Sequence, residues 1–412
     1  MRMGIELVLF DLDDTLLRTS DLAQFRGREN LNNTTAIYTS GLTTACMGRA
    51  DRIHYPADIL RAIQGSGRKI GVFTRSPRHY AQTLLANCYP GIVWNVVIGF
   101  EDVNHTKPEP EGIWRAMHAC ANQDVQTVAM VGDDKGDIQA AYNAGCWAFL
   151  HCGNWPNPKI SENYYTLERV PDVILSGPTE LLQRIEQPHT WLPELERAGF
   201  QLIAPPGLEP RFDSFKHWLP RELGNGGAWV SVMGRMFAEY EALRYRAAWH
   251  ALTRSIHENK NAVVFPDAWI SALRLYLEQS WSVTHGRPTL VTVVPFKPGR
   301  APRMESLLAQ LAQSHQAIPI AGAVIEFDGA VLAYRDGVRS HHGEHLDRVE
   351  RYTNVRDHLF VAKPEAVVGK HIVVIDDVVT SGASLIYSDH YLRAAGARNV
   401  NCVALAKAIG VG

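Results

Sequence analysis

Asp11 and Asp13 stand at the end of a short apolar run, Glu6–Phe10, and they are the residues of this chain best suited to do chemistry. In extended chain, residues two apart share a side, so the two carboxylates converge. Paired carboxylates at a strand end suit binding of a hard metal ion together with nucleophilic or acid–base work. Three further pieces fit the same chemistry. Thr74 ends the run Ile70–Thr74, where its hydroxyl and backbone can hold an anionic oxygen. Lys107 offers a positive charge, and Asp133 and Asp137 follow another apolar run and add carboxylates. Asp137, at a helix start, can also serve as a helix cap.

This ordered set resembles the haloacid dehalogenase superfamily, over about residues 5–177. The resemblance implies an Mg²⁺-dependent phosphatase. Asp11 is then the nucleophile that forms an aspartyl-phosphate. Asp13 protonates the leaving oxygen and later activates water. Thr74 and Lys107 bind the phosphoryl oxygens. Asp11, the backbone carbonyl of Asp13, Asp133 and Asp137 make up the Mg²⁺ shell, with Asp134 behind it. Family insertions between the first and second motifs form a lid over the site. Here that stretch is short (about residues 18–55), and Arg26, Arg28, Tyr38 and Arg49 are its candidate contacts, or else ordinary surface groups. A small lid suits a macromolecule or a sizeable metabolite.

A second motif lies at residues 372–384. An apolar run, His371–Ile375, leads into Asp376 and Asp377, then into Thr380, Ser381, Gly382, Ala383 and Ser384. Backbone N–H groups opening a helix can cradle a phosphate, and the hydroxyls add donors. Gly382 allows close approach of the backbone. This window resembles the phosphoribosyl-diphosphate (PRPP) signature of type I phosphoribosyltransferases. By that resemblance, Asp376 and Asp377 engage ribose hydroxyls, the loop holds the 5-phosphate, and Lys297, Arg300 or Arg303 meets the diphosphate. Residues 334–352 are then a flexible lid. His341, His342 and His345 within it could bind a transition metal, but a solvated loop is the simpler reading. No motif marks a base-recognising element between residues 200 and 290.

The elements that must position these groups follow from the pattern. The runs before Asp11 and Asp376 look like buried parallel strands. Strands are expected at 69–74, 125–131, 290–295 and 400–404, and helices at 57–64, 137–144, 180–186, 305–313 and 385–395. Residues 236–256 carry Phe237, Tyr240, Leu243, Ala247, Trp249 and Leu252 at helical spacing and read as a core-packing helix. Alternating strands and helices predict two doubly wound, Rossmann-like α/β domains with parallel sheets. The seam is expected near residues 175–192, where a short helix gives way to turn-rich sequence, giving a hydrolase-like domain at 1–188 and a phosphoribosyltransferase-like domain at 189–412.

Bulk properties agree with this outline. The 412 residues suggest two or three domains, and 46% hydrophobic with 20% charged residues is ordinary for globular chains. A formal net charge of −2 with interspersed signs gives no basic stripe for nucleic acid. Six scattered cysteines without a C-x-x-C pair argue against a zinc ribbon and against a disulfide framework. No run approaches the roughly 20 apolar residues of a membrane helix. The expectation is a cytoplasmic protein acting on a small phosphorylated metabolite, with PRPP or a ribonucleotide as the second ligand. Either the two halves are a bifunctional pair of enzymes, or the C-terminal half is a non-catalytic sensor that regulates the phosphatase.

Overall fold

The computed structural model describes residues 4–155, 165–198, 207–339 and 347–411. His341, His342 and His345 therefore lie outside the described residues. The chain divides into two compact units. The first is Met1–Leu192 with Phe237–His250 and Gly410–Gly412, and the second is Pro193–Met236 with Ala251–Ile409.

In the first unit, apolar runs become strands because both faces are covered. β1 (Leu7–Phe10), β4 (Val128–Gly132) and β5 (Trp147–His151) are buried throughout. With β2 (Lys69–Phe73), β3 (Val96–Ile98) and β6 (Val173–Leu175) they form a sheet in the order β3-β2-β1-β4-β5-β6, paired in parallel. Strand order reverses between β1 and β4, and that switch point opens a crevice at the carboxyl ends of the strands. Helices α1 (Ala36–Met47), α2 (Ala57–Gly65), α3 (Arg78–Cys88), α4 (Glu111–Ala119) and α5 (Lys135–Ala144) belong to this unit. α2 shows how pattern becomes packing: Ile59, Leu60 and Ile63 share one face and are all buried. The stretch 125–127 is a 3₁₀ turn, not strand; Asp124 caps it by accepting from the Gln126 N–H, so the strand starts at Val128.

The expected single helix over 236–256 is not formed. Residues Arg235–Phe237 are a short strand, and helices Arg244–Trp249 and Ala251–Glu258 follow, with His250 extended between them. The periodic residues satisfy two cores instead of one: Phe237 and Leu243 are buried in the first unit and Leu252 in the second. Within the first unit, Arg246 is fully buried and paired with Asp172, and it donates to the Cys146 carbonyl at 3.1 Å. The Trp249 indole donates to Gly145 at 3.0 Å. Gly145 has φ +86° and ends α5, and a Cβ there would stand 2.6 Å from the Tyr245 side chain.

The second unit is also α/β, but its sheet is mixed, which corrects the expectation of a purely parallel one. β7 (Asp213–Trp218), β8 (Gly227–Val232), β10 (Thr289–Val293), β11 (Ile325–Phe327), β14 (His371–Val379) and β15 (Asn399–Ile409) run in the order β11-β10-β14-β15-β8-β7, with β9 (Arg235–Phe237) also on β15. β7 is antiparallel to β8. A separate antiparallel pair joins β12 (Leu332–Tyr334) and β13 (Leu359–Val361). Helices Asp267–Gln279 and Arg303–Ala317 cover the sheet through Trp269, Leu273, Leu307 and Leu311, packed with Val291, Val373 and Val403. Among the described residues, no helix is long and apolar enough to cross a membrane.

Candidate active site

Three strand ends of the first unit deliver the site. Asp11 leaves β1, Thr74 leaves β2 and Asp133 leaves β4. Register makes this convergence obligatory: Phe10 pairs with Val72 and with Val131, so the residues just beyond lie side by side. Asp137 is brought in by the first turn of α5. There its Oδ2 accepts from the Asp134 N–H at 3.1 Å, while Asp134 accepts from Gly136 N–H at 2.5 Å. This reciprocal cap fixes the Asp137 rotamer. Gly132 is required beside it, since a Cβ there would sit 2.2 Å from the Asp137 carboxylate.

One carboxylate oxygen each from Asp11, Asp133 and Asp137 lie within 4.8 Å of one another. Lys107 is the cation of the cluster. Its Nζ donates to Asp11 Oδ1 at 2.5 Å and to Asp137 Oδ1 at 2.6 Å. Asp133 Oδ1 accepts from the Thr15 hydroxyl at 2.7 Å. Burial pushes the Asp11 carboxyl up to about 8; Lys107 pulls it down, while Asp137 and Asp13 add repulsion. Burial and the neighbouring carboxylates likewise hold Asp133 well above its ordinary range. Burial disfavours the Lys107 charge, yet Asp11 and Asp137 keep its ammonium above the usual range. One ammonium faces these three carboxylates, and a divalent cation would offset the negative charge they carry when ionised. The donors are all carboxylate oxygens, a set that fits Mg²⁺.

Asp13 is held apart from that trio. Its Oδ2 accepts from Ser76 Oγ at 2.5 Å and lies 3.4 Å from Thr74 Oγ1. Its Oδ1 accepts from the Tyr80 hydroxyl at 2.9 Å and faces the Arg26 guanidinium at 3.3 Å. Burial first, and Asp13 second, raise the Tyr80 hydroxyl, which keeps it a donor. Asp13, with partners of its own, also lines the cavity of the site.

That cavity, of about 480 Å³, is lined by Asp11, Asp13, Thr74, Lys107, Asp133 and Asp137, and also by Arg26, Arg28 and Arg75. Two of the four candidate lid residues therefore reach the site. Tyr38 instead donates to the Phe25 carbonyl at 2.8 Å, and Arg49 pairs with Asp51 at 2.7 Å. Ser76, Tyr80, Thr15 and Arg75 were not singled out from the sequence. Ser76 and Arg75 immediately follow Thr74, and Tyr80 lies one turn into the next helix, so proximity to the second motif was the available signal.

In the second unit, β14 continues through Asp376 and Asp377 to Val379, so the acidic pair lies inside the strand and not beyond its end. Adjacent strand residues face opposite sides. Asp377 is paired with Arg303, while burial and Asp377 raise the Asp376 carboxyl. Gly382, at φ +78°, caps helix Ala383–Ala394. The Thr380 carbonyl accepts from Lys407 Nζ at 3.0 Å, the Ser381 carbonyl accepts from the Tyr352 hydroxyl, and Ser384 Oγ lies 3.3 Å from the Tyr334 hydroxyl. Lys297 donates to the Arg339 carbonyl at 2.8 Å, and Arg300 is exposed.

Residues 28–150 match the family model for haloacid dehalogenase-like hydrolases. Phosphoglycolate phosphatase of Salmonella choleraesuis is 32% identical over 138 residues, covering 32% of this chain and 51% of that protein. Its counterpart in Escherichia coli K12 is 31% identical over the same shares. The chain thus spans about half the length of the curated relatives it matches. Among solved structures, CbbY from Rhodobacter sphaeroides in complex with phosphate is similar at 18% identity and a TM-score of 0.34, covering 43% of this chain and 96% of that one. Over residues 28–150 the first unit is thus similar to haloacid dehalogenase-like hydrolases.

Proposed function

We propose that the first unit hydrolyses a phosphate monoester through an aspartyl-phosphate on Asp11, with Mg²⁺ held by Asp11, Asp133 and Asp137. The observation that carries this reading is the meeting of those three carboxylates within 4.8 Å beside the Lys107 ammonium. Bound Mg²⁺ supplies positive charge to offset that of the nucleophile and the phosphoryl oxygens. Lys107 orients the Asp11 carboxylate and neutralises the incoming phosphoryl group, and Thr74 offers a hydroxyl to one of its oxygens. Asp13 delivers a proton to the leaving oxygen and then takes one from the water that hydrolyses the aspartyl-phosphate. Ser76, Tyr80 and Arg26 fix its carboxyl for both steps.

Arg26, Arg28 and Arg75 around the cavity support a small phosphorylated metabolite whose remainder carries another anionic group, as a phosphorylated hydroxy acid does. The relatives named phosphoglycolate phosphatase fit that class. Hydrolysis of an aryl phosphate tests the reading: it should require Mg²⁺ and disappear in Asp11→Asn. Full turnover in excess chelator, or in that variant, would refute it.

A second reading concerns the other unit, which binds a ribose 5-phosphate such as PRPP or a ribonucleotide at Thr380–Ser384. The left-handed Gly382 at the start of a helix supports it. A Cβ there would stand 2.9 Å from the His217 ring, so only glycine keeps the loop in this shape. Asp376 or Asp377, which face opposite sides of the strand, supplies a carboxylate for the sugar hydroxyls, and Arg303 already stands at Asp377. The unit is then either a phosphoribosyltransferase or a sensor for the same ligand. Calorimetry with PRPP and Mg²⁺ tests binding, and release of diphosphate separates transfer from sensing. Unchanged binding in Asp376→Ala/Asp377→Ala would overturn the assignment.

A further inference from the structure

Away from the carboxylate cluster, the first unit places two thiols in contact. Cys46 lies in the last turn of α1 and Cys88 is the last residue of α3. Their sulfur atoms are 3.3 Å apart, and both are free thiols. Cys46 is buried and Cys88 is half-buried. A disulfide needs an S–S distance of about 2.05 Å, so a closure of about 1.3 Å remains. The surroundings favour ionisation of one sulfur. Arg52 donates to the Cys46 carbonyl at 3.2 Å and to the Ala45 carbonyl at 3.0 Å, which sets a guanidinium beside the end of α1. The Cys88 hydrogen bond, with help from Arg52, brings the Cys46 thiol down to about 7.

We infer that Cys46 and Cys88 form a redox-responsive pair that closes to an intrachain disulfide by exchange with a low-molecular-weight disulfide. Cys88, the less buried residue of the two although contact with Cys46 pushes its own thiol up, gives its proton to the Cys46 thiolate it touches and attacks one sulfur of the reagent. The reagent S–S bond breaks and a first reagent thiolate leaves. Cys46, already in contact, then attacks the Cys88 sulfur of the mixed disulfide and expels the second reagent thiolate. Two protons pass from the protein thiols to the two expelled thiolates. The protein thiols are oxidised by two electrons and the reagent is reduced by two.

The placement gives this bond a consequence. α1 belongs to the segment that also carries Arg26 and Arg28, both lining the cavity. α3 carries Tyr80, which holds Asp13. A Cys46–Cys88 bond ties the lid segment to that helix and restricts its movement over the cavity.

The test uses the full chain and oxidised glutathione at neutral pH. After alkylation without reduction, the protein is digested and mapped by mass spectrometry. The expected result is a Cys46–Cys88 linked peptide, two fewer alkylatable thiols, and a rise in Tm that a thiol reductant reverses. Cys46→Ser should leave Cys88 as a stable mixed disulfide; Cys88→Ala, at the less buried position, serves if that variant does not fold, and should leave Cys46 unmodified. Absence of the linked peptide in the wild-type chain, or linkage of Cys88 to Cys152 instead, would overturn the proposal.

Discussion

Replacing Lys107 with Met keeps much of the side-chain volume and removes the one ammonium that stands between Asp11 and Asp137. The Lys107 side chain is 1% exposed, with contacts of 2.5 and 2.6 Å to the two carboxylates. Removing one partner of a buried ion pair costs about 3–5 kcal/mol, because the other charge stays buried and unpaired. For a unit of this size, each kcal/mol lowers Tm by about 2–4 °C, so the metal-free variant should melt about 6–20 °C below the wild type. Saturating Mg²⁺ should restore more of that loss in the variant than it adds to the wild type, since it returns positive charge to the same oxygens. Turnover of an aryl phosphate should fall by about 10²–10³-fold with Mg²⁺ present, the cost of losing one group aimed at developing charge. Calorimetric scans of both proteins, in chelator and in Mg²⁺, check the first part and steady-state kinetics the second. Equal Tm values in chelator, together with turnover near that of the wild type, would refute the placement of Lys107 at the centre of the cluster.

The Asp11 carboxyl, pushed up by burial to about 8, sets a pH dependence. Its folded-state pKa lies above the unfolded value of about 3.9, so the contribution is complete below about pH 4 and is lost as pH rises towards 8. Denaturant unfolding against pH in chelator should therefore show a falling term across that window that saturating Mg²⁺ removes, and a constant gap between the two curves would contradict it. Gly132→Ala would press a Cβ against the Asp137 carboxylate and should weaken Mg²⁺ binding by about 10–100-fold in calorimetry; unaltered affinity would show that Asp137 can be displaced freely. Arg246→Met leaves Asp172 buried without its guanidinium and should destabilise the first unit by about 3–5 kcal/mol in denaturant unfolding, whereas a change under 1 kcal/mol would show that residues 237–250 contribute little to it.

The parts legible in the sequence were those encoded locally. β1 and β4 are uninterrupted apolar runs, so the strand ends bearing Asp11 and Asp133 could be placed from pattern alone. Lys107 and Asp137 were legible as motif members, but the double contact of Lys107 is a product of tertiary placement and has no local signature. Ser76 and Tyr80 follow Thr74 closely, so the second motif pointed to them, whereas Arg26 reaches Asp13 from a distant segment and has no local signature. Residues 236–256 misled because apolar spacing says that side chains are buried, not in which core; here the buried positions divide between two units and His250 interrupts the helix. At β14 the acidic pair read as the strand's end, whereas pairing with β15 carries the strand to Val379. Polar residues cannot show from sequence alone that a ladder continues through them.

Acid-quench mass spectrometry of Asp13→Asn mixed with p-nitrophenyl phosphate and Mg²⁺ looks directly for the aspartyl-phosphate on Asp11. The nitrophenolate leaves without a proton from the enzyme, so attack by Asp11 persists in this variant while hydrolysis of the aspartyl-phosphate, which needs Asp13 as a base, stalls. The expected product is a protein heavier by one phosphoryl group, with the modification on the peptide that carries Asp11 and absent when Asp11→Asn is added. An unmodified protein in the variant alongside a turning-over wild type, or a phosphoryl group on any residue but Asp11, would contradict it.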